Sequence, residues 1–288
     1  MLVRVRYACS AVCAGMIAFG SVAALAQPPP ATSQYRTVNL NYVYAAELGF
    51  GGYSLSGLTA QVYELPLSYT FPGFLKDDWA LKLLAPVQAG FYSLDVTDTD
   101  GERISFRQQS LAFVPGAELQ IPVGGNTVVK PFGQFGVGHA FGTDVGSPNA
   151  YIYMAGIRML TQWHVDAATV SLGNAVIYAG DSAIGSAFSE HYVTLQSGVE
   201  WRHALGFRVD TLVPDVGLYA IYYYYPLPLV FSRFLEPELK ITQQGEIGFS
   251  IGSATEFRFL GLRNPRVGAG YIFGGGLNAL RVNFGFQF

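Results

Sequence analysis

Residues 280–288 read LRVNFGFQF. Leu280, Val282, Phe284, Phe286 and Phe288 fall at every second position, with Arg281, Asn283, Gly285 and Gln287 between them. Alternation over about nine residues is the length a tilted strand needs to cross a bilayer, one row of side chains on lipid and the other turned inward. Chain ends generally fray in water and are seldom so apolar. The stretch therefore reads as a membrane strand.

The other end of the chain points to export. Arg4 and Arg6 precede an apolar stretch from Tyr7 to Ala24, followed by Ala24-Leu25-Ala26 and the run QPPP. A basic start, an apolar middle and small residues before a cut predict a signal peptide over 1–26, removed after Ala26. Residues 27–36 then form a short periplasmic segment ahead of a single domain, 37–288. Cys9 and Cys13 both lie in the removed part, so the mature chain has no disulfide, thiol nucleophile or zinc–thiolate site. Without Arg4 and Arg6 the 17 basic residues become 15 against 20 acidic, a net charge of −5, which gives no basic footprint for nucleic acid.

Half of the residues are hydrophobic and 13% are charged, yet after residue 26 no apolar run reaches the roughly twenty residues that a membrane helix needs. What recurs instead is period-two alternation rich in Tyr, Phe and Gly. Inside a bilayer a sheet satisfies its backbone only by closing on itself. The fold class is thus all-β, a transmembrane antiparallel up-and-down barrel of about twelve strands, with ten or fourteen as the alternatives. The strands are predicted over 38–50, 58–71, 79–93, 104–121, 127–141, 150–162, 168–179, 191–203, 207–224, 238–252, 265–274 and 278–288. Long connections at 95–103, 142–149, 180–190 and 226–237 alternate with short ones at 123–126, 164–167 and 203–206, as outer loops and inner turns should. The inner connection 253–265 is too long for that rule and reads as a cap or a miscount.

Alternation also divides the side chains by face. The predicted lumen carries Glu47, Glu64, Lys82, Glu118, Lys130, Arg158, Glu200, Arg202, Lys240, Glu246 and Arg281. Both signs are present in similar number, so they are expected to pair and to leave a narrow or closed interior. Trp79, Trp201, Tyr222 and Tyr224 are expected in the aromatic girdles at the membrane boundaries. Adjacent residues of the run Tyr222-Tyr223-Tyr224-Tyr225 must face opposite ways, which argues against a sugar-binding platform.

The ending LRVNFGFQF resembles the C-terminal assembly signal of bacterial outer-membrane proteins. That resemblance implies Leu280, Val282, Phe284, Phe286 and Phe288 as the signal and the barrel-assembly machinery as a partner in biogenesis. The longer stretch PRVGAGYIFGGGLNALRVNFGFQF (265–288) is similar to solitary autotransporter-like barrels, translocator-type barrels of about twelve strands that carry no passenger. QPPPATSQYR alone precedes the first predicted strand, which leaves no room for a passenger or a lumenal helix. The expected location is the bacterial outer membrane, among its lipid and lipopolysaccharide.

Chemistry-bearing motifs are weak. Barrel lipases set a Ser and a His on one strand face, but two residues from His139 stands Phe141, and the grouping Ser189, Glu190 and His191 is split between faces. His164 and His203 read as boundary residues. Asp95, Asp98, Asp100, Gly101 and Glu102 approach a calcium loop, but Val96 and Arg107 occupy ligand places, so a solvated acidic loop is expected. The glycines of GQFGVG (133–138) precede no helix and serve strand packing rather than a phosphate. The chain is read as a non-enzyme without metal or cofactor: a narrow pore or small-solute passage, alternatively a structural or surface-interaction barrel working through its loops, with lipid hydrolysis as a minor alternative.

Overall fold

The computed structural model describes residues 49–55, 58–97, 103–141, 149–185, 189–230, 240–255, 258–259, 262–263 and 266–288. The expected signal peptide, the 27–36 segment, Glu47, the strand placed at 38–50 up to residue 48, and the core of the acidic loop lie outside them.

Twelve strands form one antiparallel sheet. In chain order they are Gly51–Leu55; Leu58–Leu65 continued by Ser68–Pro72; Ala80–Leu84 continued by Val87–Thr97; and Arg103–Phe113 continued by Gly116–Pro122. The fifth to eighth are Thr127–Phe141, Asn149–Val165, Ala168–Ala183 and Ser189–Ala204. Pro214–Val230, Lys240–Ser253, Val267–Gly274 and Leu277–Asn283 complete the series. Each pairs with its neighbours in sequence, and the first pairs with the twelfth from Gly51↔Arg281 to Leu55↔Leu277, which closes the ring. Over these rungs the first and last strands satisfy each other's amide and carbonyl groups, while among the described residues Ser68–Pro72 pairs on one side only, with Ala80–Leu84.

The outward face explains why this ring belongs in a membrane. Phe135, Ile157, Val176, Leu218, Ile247 and Leu280 are each more than half exposed, on six different strands. Such a continuous apolar belt is unsustainable in water and matches hydrocarbon. The inward face alternates with it: Tyr53, Phe132, Ile177, Tyr192, Ile221 and Leu277 are buried and fill the interior.

The second, third and fourth strands are interrupted at aligned prolines. Leu65 pairs with Val87 and Ser68 with Leu84, so Pro66 faces Pro86, and Pro115 lies one strand further on. A proline withholds its N–H from the ladder. Main-chain bonds from Ala85 N to Leu67 O (2.8 Å) and from Phe135 N to Pro115 O (2.9 Å) carry the sheet past the gap.

Four boundaries depart from simple alternation. The ninth strand begins at Pro214, since Leu205–Val213 is a turn holding a Val209–Leu212 bridge, and it runs on through the predicted loop residues Pro226 to Val230. A register shift between Tyr224 and Leu229 absorbs the two prolines there. The 253–265 connection contains a small hairpin, Arg258–Phe259 against Leu262–Arg263, and adds no strand to the ring. The last strand stops at Asn283, so the final five residues leave the wall.

Candidate functional site

The lumen gathers the charged side chains that alternation turns inward, and they form three groups. Near mid-barrel, Arg281 Nη2 donates to both oxygens of Glu246, at 2.9 and 2.7 Å. Tyr219 and Tyr223 donate their hydroxyls to the same carboxylate, at 2.7 and 2.6 Å, and Asn283 donates to the Tyr219 oxygen at 2.7 Å. A buried carboxylate held by a guanidinium and two phenols has its acceptor sites filled, which is the condition under which a buried ion pair is tolerated.

The second group lies toward the end of the barrel where the short turns are. Arg266 Nη1 stands 2.6 Å from Asp215 Oδ1, and its Nε and Nη2 reach Ser250 Oγ at 3.3 and 3.1 Å. Ser250 passes a bond to Glu200 at 3.4 Å. Arg202 Nε lies 3.4 Å from Glu200 but without hydrogen-bond alignment, so Arg202 meets the charge by proximity while Ser250 supplies the formed bond. In the third group Arg158 Nη1 bonds Glu118 at 3.1 Å while its guanidinium covers the Phe132 ring at 3.8 Å. Lys82 stands opposite Glu118 in the register, and Gln88 donates to Glu64 at 3.2 Å.

Ten of the eleven expected lumenal residues are thus described, and nine of them face inward. Lys240 does not. Strict alternation would put it with Glu246, but Thr242 and Gln243 are both exposed in succession, so the tenth strand slips by one residue and turns Ile241 inward instead. An extra residue of this kind inverts the facing of everything beyond it. Sequence reading missed Asp215 and Arg266. Asp215 shares parity with the inward Tyr219 and Tyr223 and was legible. Arg266 lies within the strand expected over 265–274 and shares parity with the inward Gly268, Gly270 and Ile272, so it was legible as well.

The C-terminal segment enters this site. Gly285, at φ +114°, turns the chain off the wall, and Phe286 and Phe288 lie inside with their rings 4.9 Å apart. Phe288 is 5% exposed whereas Leu280 is 64% exposed, so the row expected on lipid splits: Leu280 and Phe284 face outward, and Phe286 and Phe288 do not. Lys130 Nζ donates to the Phe288 main-chain oxygen at 2.9 Å. Gln287 accepts from Arg281 at 3.0 Å and donates to Gln196 and Tyr223 at 3.2 and 3.0 Å. A cavity of about 390 Å³ remains between segment and wall.

On the outer surface Trp201 is exposed and stacks on His203, with centroids 5.4 Å apart, and Trp163 lies two strands away at the same level. Trp79 sits at the end of the 73–79 turn with the Lys76 ammonium 4.9 Å from its ring. Tyr222 and Tyr224 face outward while Tyr223 and Tyr225 are buried inside. His139 Nδ1 lies 2.8 Å from Asn149 Oδ1, Ser189 Oγ donates to the Asp181 main-chain oxygen at 3.1 Å, and the His191 ring lies against Tyr178. No serine–histidine hydrogen bond and no metal-holding cluster occurs among the described residues.

Ring closure, an apolar outer belt and a charge-paired interior define a transmembrane up-and-down β-barrel. Among solved structures the chain is similar to the β domain of the Bordetella autotransporter BrkA, with a TM-score of 0.48 and 13% identity over 81% of this chain and 93% of that one. No family model and no curated protein matches the chain.

Proposed function

We propose that the chain is an integral barrel of the bacterial outer membrane, seated among lipid and lipopolysaccharide and inserted by the barrel-assembly machinery, whose lumen is shut at rest and whose work is done at its surfaces. The observation that carries this reading is what projects into the interior: three ion-paired groups, inward tyrosines and the C-terminal segment. A conducting channel of this strand number needs an unobstructed path or one dominant sign of charge at a constriction. The same pairing of opposite signs makes an ion-selective filter an unsuitable description.

A second reading, a narrow small-solute passage, is favoured by the cavity beside the C-terminal segment. Single-channel recording in a planar bilayer separates the two. Refolded protein and a Glu200→Ala/Arg202→Ala variant are both expected to remain silent. Steady current through the unaltered protein, rising in the variant, would overturn the closed reading and establish a passage constricted by those charges.

A further inference from the structure

Gly173 and Gly198 face each other in register on the inner wall, and the ring of Phe288 lies against both. A Cβ at either position would collide with that ring, so the pair forms a smooth receptacle for an aromatic side chain. Among the described residues no strand pairs with the segment beyond Asn283, and its hydrogen bonds to them are made to side chains of the wall. Lys130 takes its last main-chain oxygen, Gln196, Tyr223 and Arg281 hold Gln287, and Phe286 lies 6.3 Å from the Tyr219 ring. The segment is therefore held as a peptide ligand is held, by pockets and directed polar groups, and its departure would break no ladder bond among the described residues.

We propose that the turn-side half of the lumen is a binding site for an extended peptide segment of the pattern aromatic–x–aromatic, filled at rest by the chain's own Phe286-Gln287-Phe288. The glycine pair receives one ring, Tyr219 borders the other, and Lys130 meets the main-chain oxygen between wall and cavity. Gly285 is the pivot, because a residue with a side chain is strained at its backbone angle. A segment of the same chemistry supplied in trans competes for the site. The site lies on the inner wall, and its occupancy is read by peptide binding rather than by conductance.

The test uses the full chain in phospholipid vesicles and a fluorescein-labelled hexapeptide, NFGFQF, as probe. A Phe286→Ala/Phe288→Ala variant, its own segment no longer able to fill the pockets, is expected to bind the probe at least ten-fold more tightly than the unaltered chain. Adding Gly173→Leu to it should abolish that binding. Equal binding by all three chains, or none by the double variant, overturns the proposal. A second measurement covers loss of folding in that variant: in a Cys9→Ser/Cys13→Ser background, Gly173→Cys with Phe288→Cys should form a disulfide under mild oxidation, since a Cβ at 173 stands 2.6 Å from that of Phe288 and the segment need only back off by about 1 Å to reach a disulfide's span. Failure to cross-link, with the Phe288→Cys thiol labelled by a bulky maleimide as fast as a cysteine at the exposed turn residue Gly124, overturns it as well.

Discussion

Arg281 lies in the strand that closes the ring, and its guanidinium is buried against Glu246, Gln287 and the Tyr223 oxygen. Removing one member of such a pair strands the other, a loss of about 3 to 5 kcal/mol, whereas removing both together costs far less. Glu246→Ala is thus expected to lower unfolding stability by that amount, and Glu246→Ala/Arg281→Met to recover part of it. Urea unfolding in vesicles, followed by tryptophan fluorescence, measures both. Gly285 offers a second case at this scale. Gly285→Val places a β-branched residue at φ +114°, with a strain of about 1 to 3 kcal/mol. The prediction is that it frees the C-terminal segment from the lumen while leaving the twelve-strand ring folded, seen as faster labelling of a cysteine at position 288 with unchanged circular dichroism.

Among the elements, the eighth strand was fully legible from its letters. Val193, Leu195, Val199 and Trp201 alternate with Thr194, Gln196, Glu200 and Arg202, and the second row faces the lumen. Alternation sufficed there because no proline or turn interrupts that strand, and the register shift between Val193 and Leu195 against the ninth strand leaves its facing unchanged. The tenth strand was legible only in part, since a slip at Thr242 and Gln243 leaves no compositional mark: both letters suit either face. A cysteine at Lys240 is accordingly expected to react with a water-soluble maleimide and one at Ile241 to resist it, and the reverse order would mean that the strand keeps strict alternation. The C-terminal segment was misread for a different reason. Its letters continue the period-two pattern past Asn283, and what removes it from the sheet is the glycine at 285 together with a receptacle built from Gly173 and Gly198, more than eighty residues away. Pairing of that range has no local signature.

Across the whole molecule, two outward tryptophans locate the boundary of the apolar belt. Trp163 and Trp201 flank Val170 in one row of the sheet near the turn end. Tryptophan prefers the level of the lipid headgroups, so lipid brominated high on its acyl chains is expected to quench the fluorescence more than lipid brominated near the bilayer centre, and the opposite order would displace the belt. The ring has one further consequence. Gly51 meets Arg281, 230 residues later, so the seam cannot form until almost the entire chain has been made. Bringing ends so far apart together costs on the order of 5 kcal/mol in chain entropy before any contact repays it. Until then each hairpin carries two raw margins, and the nascent protein is a curved ribbon waiting for its last stave, vulnerable to sticking to its own kind. Only when the twelfth strand reaches the first does it become a vessel, and the five residues that follow that strand then have an inside to enter.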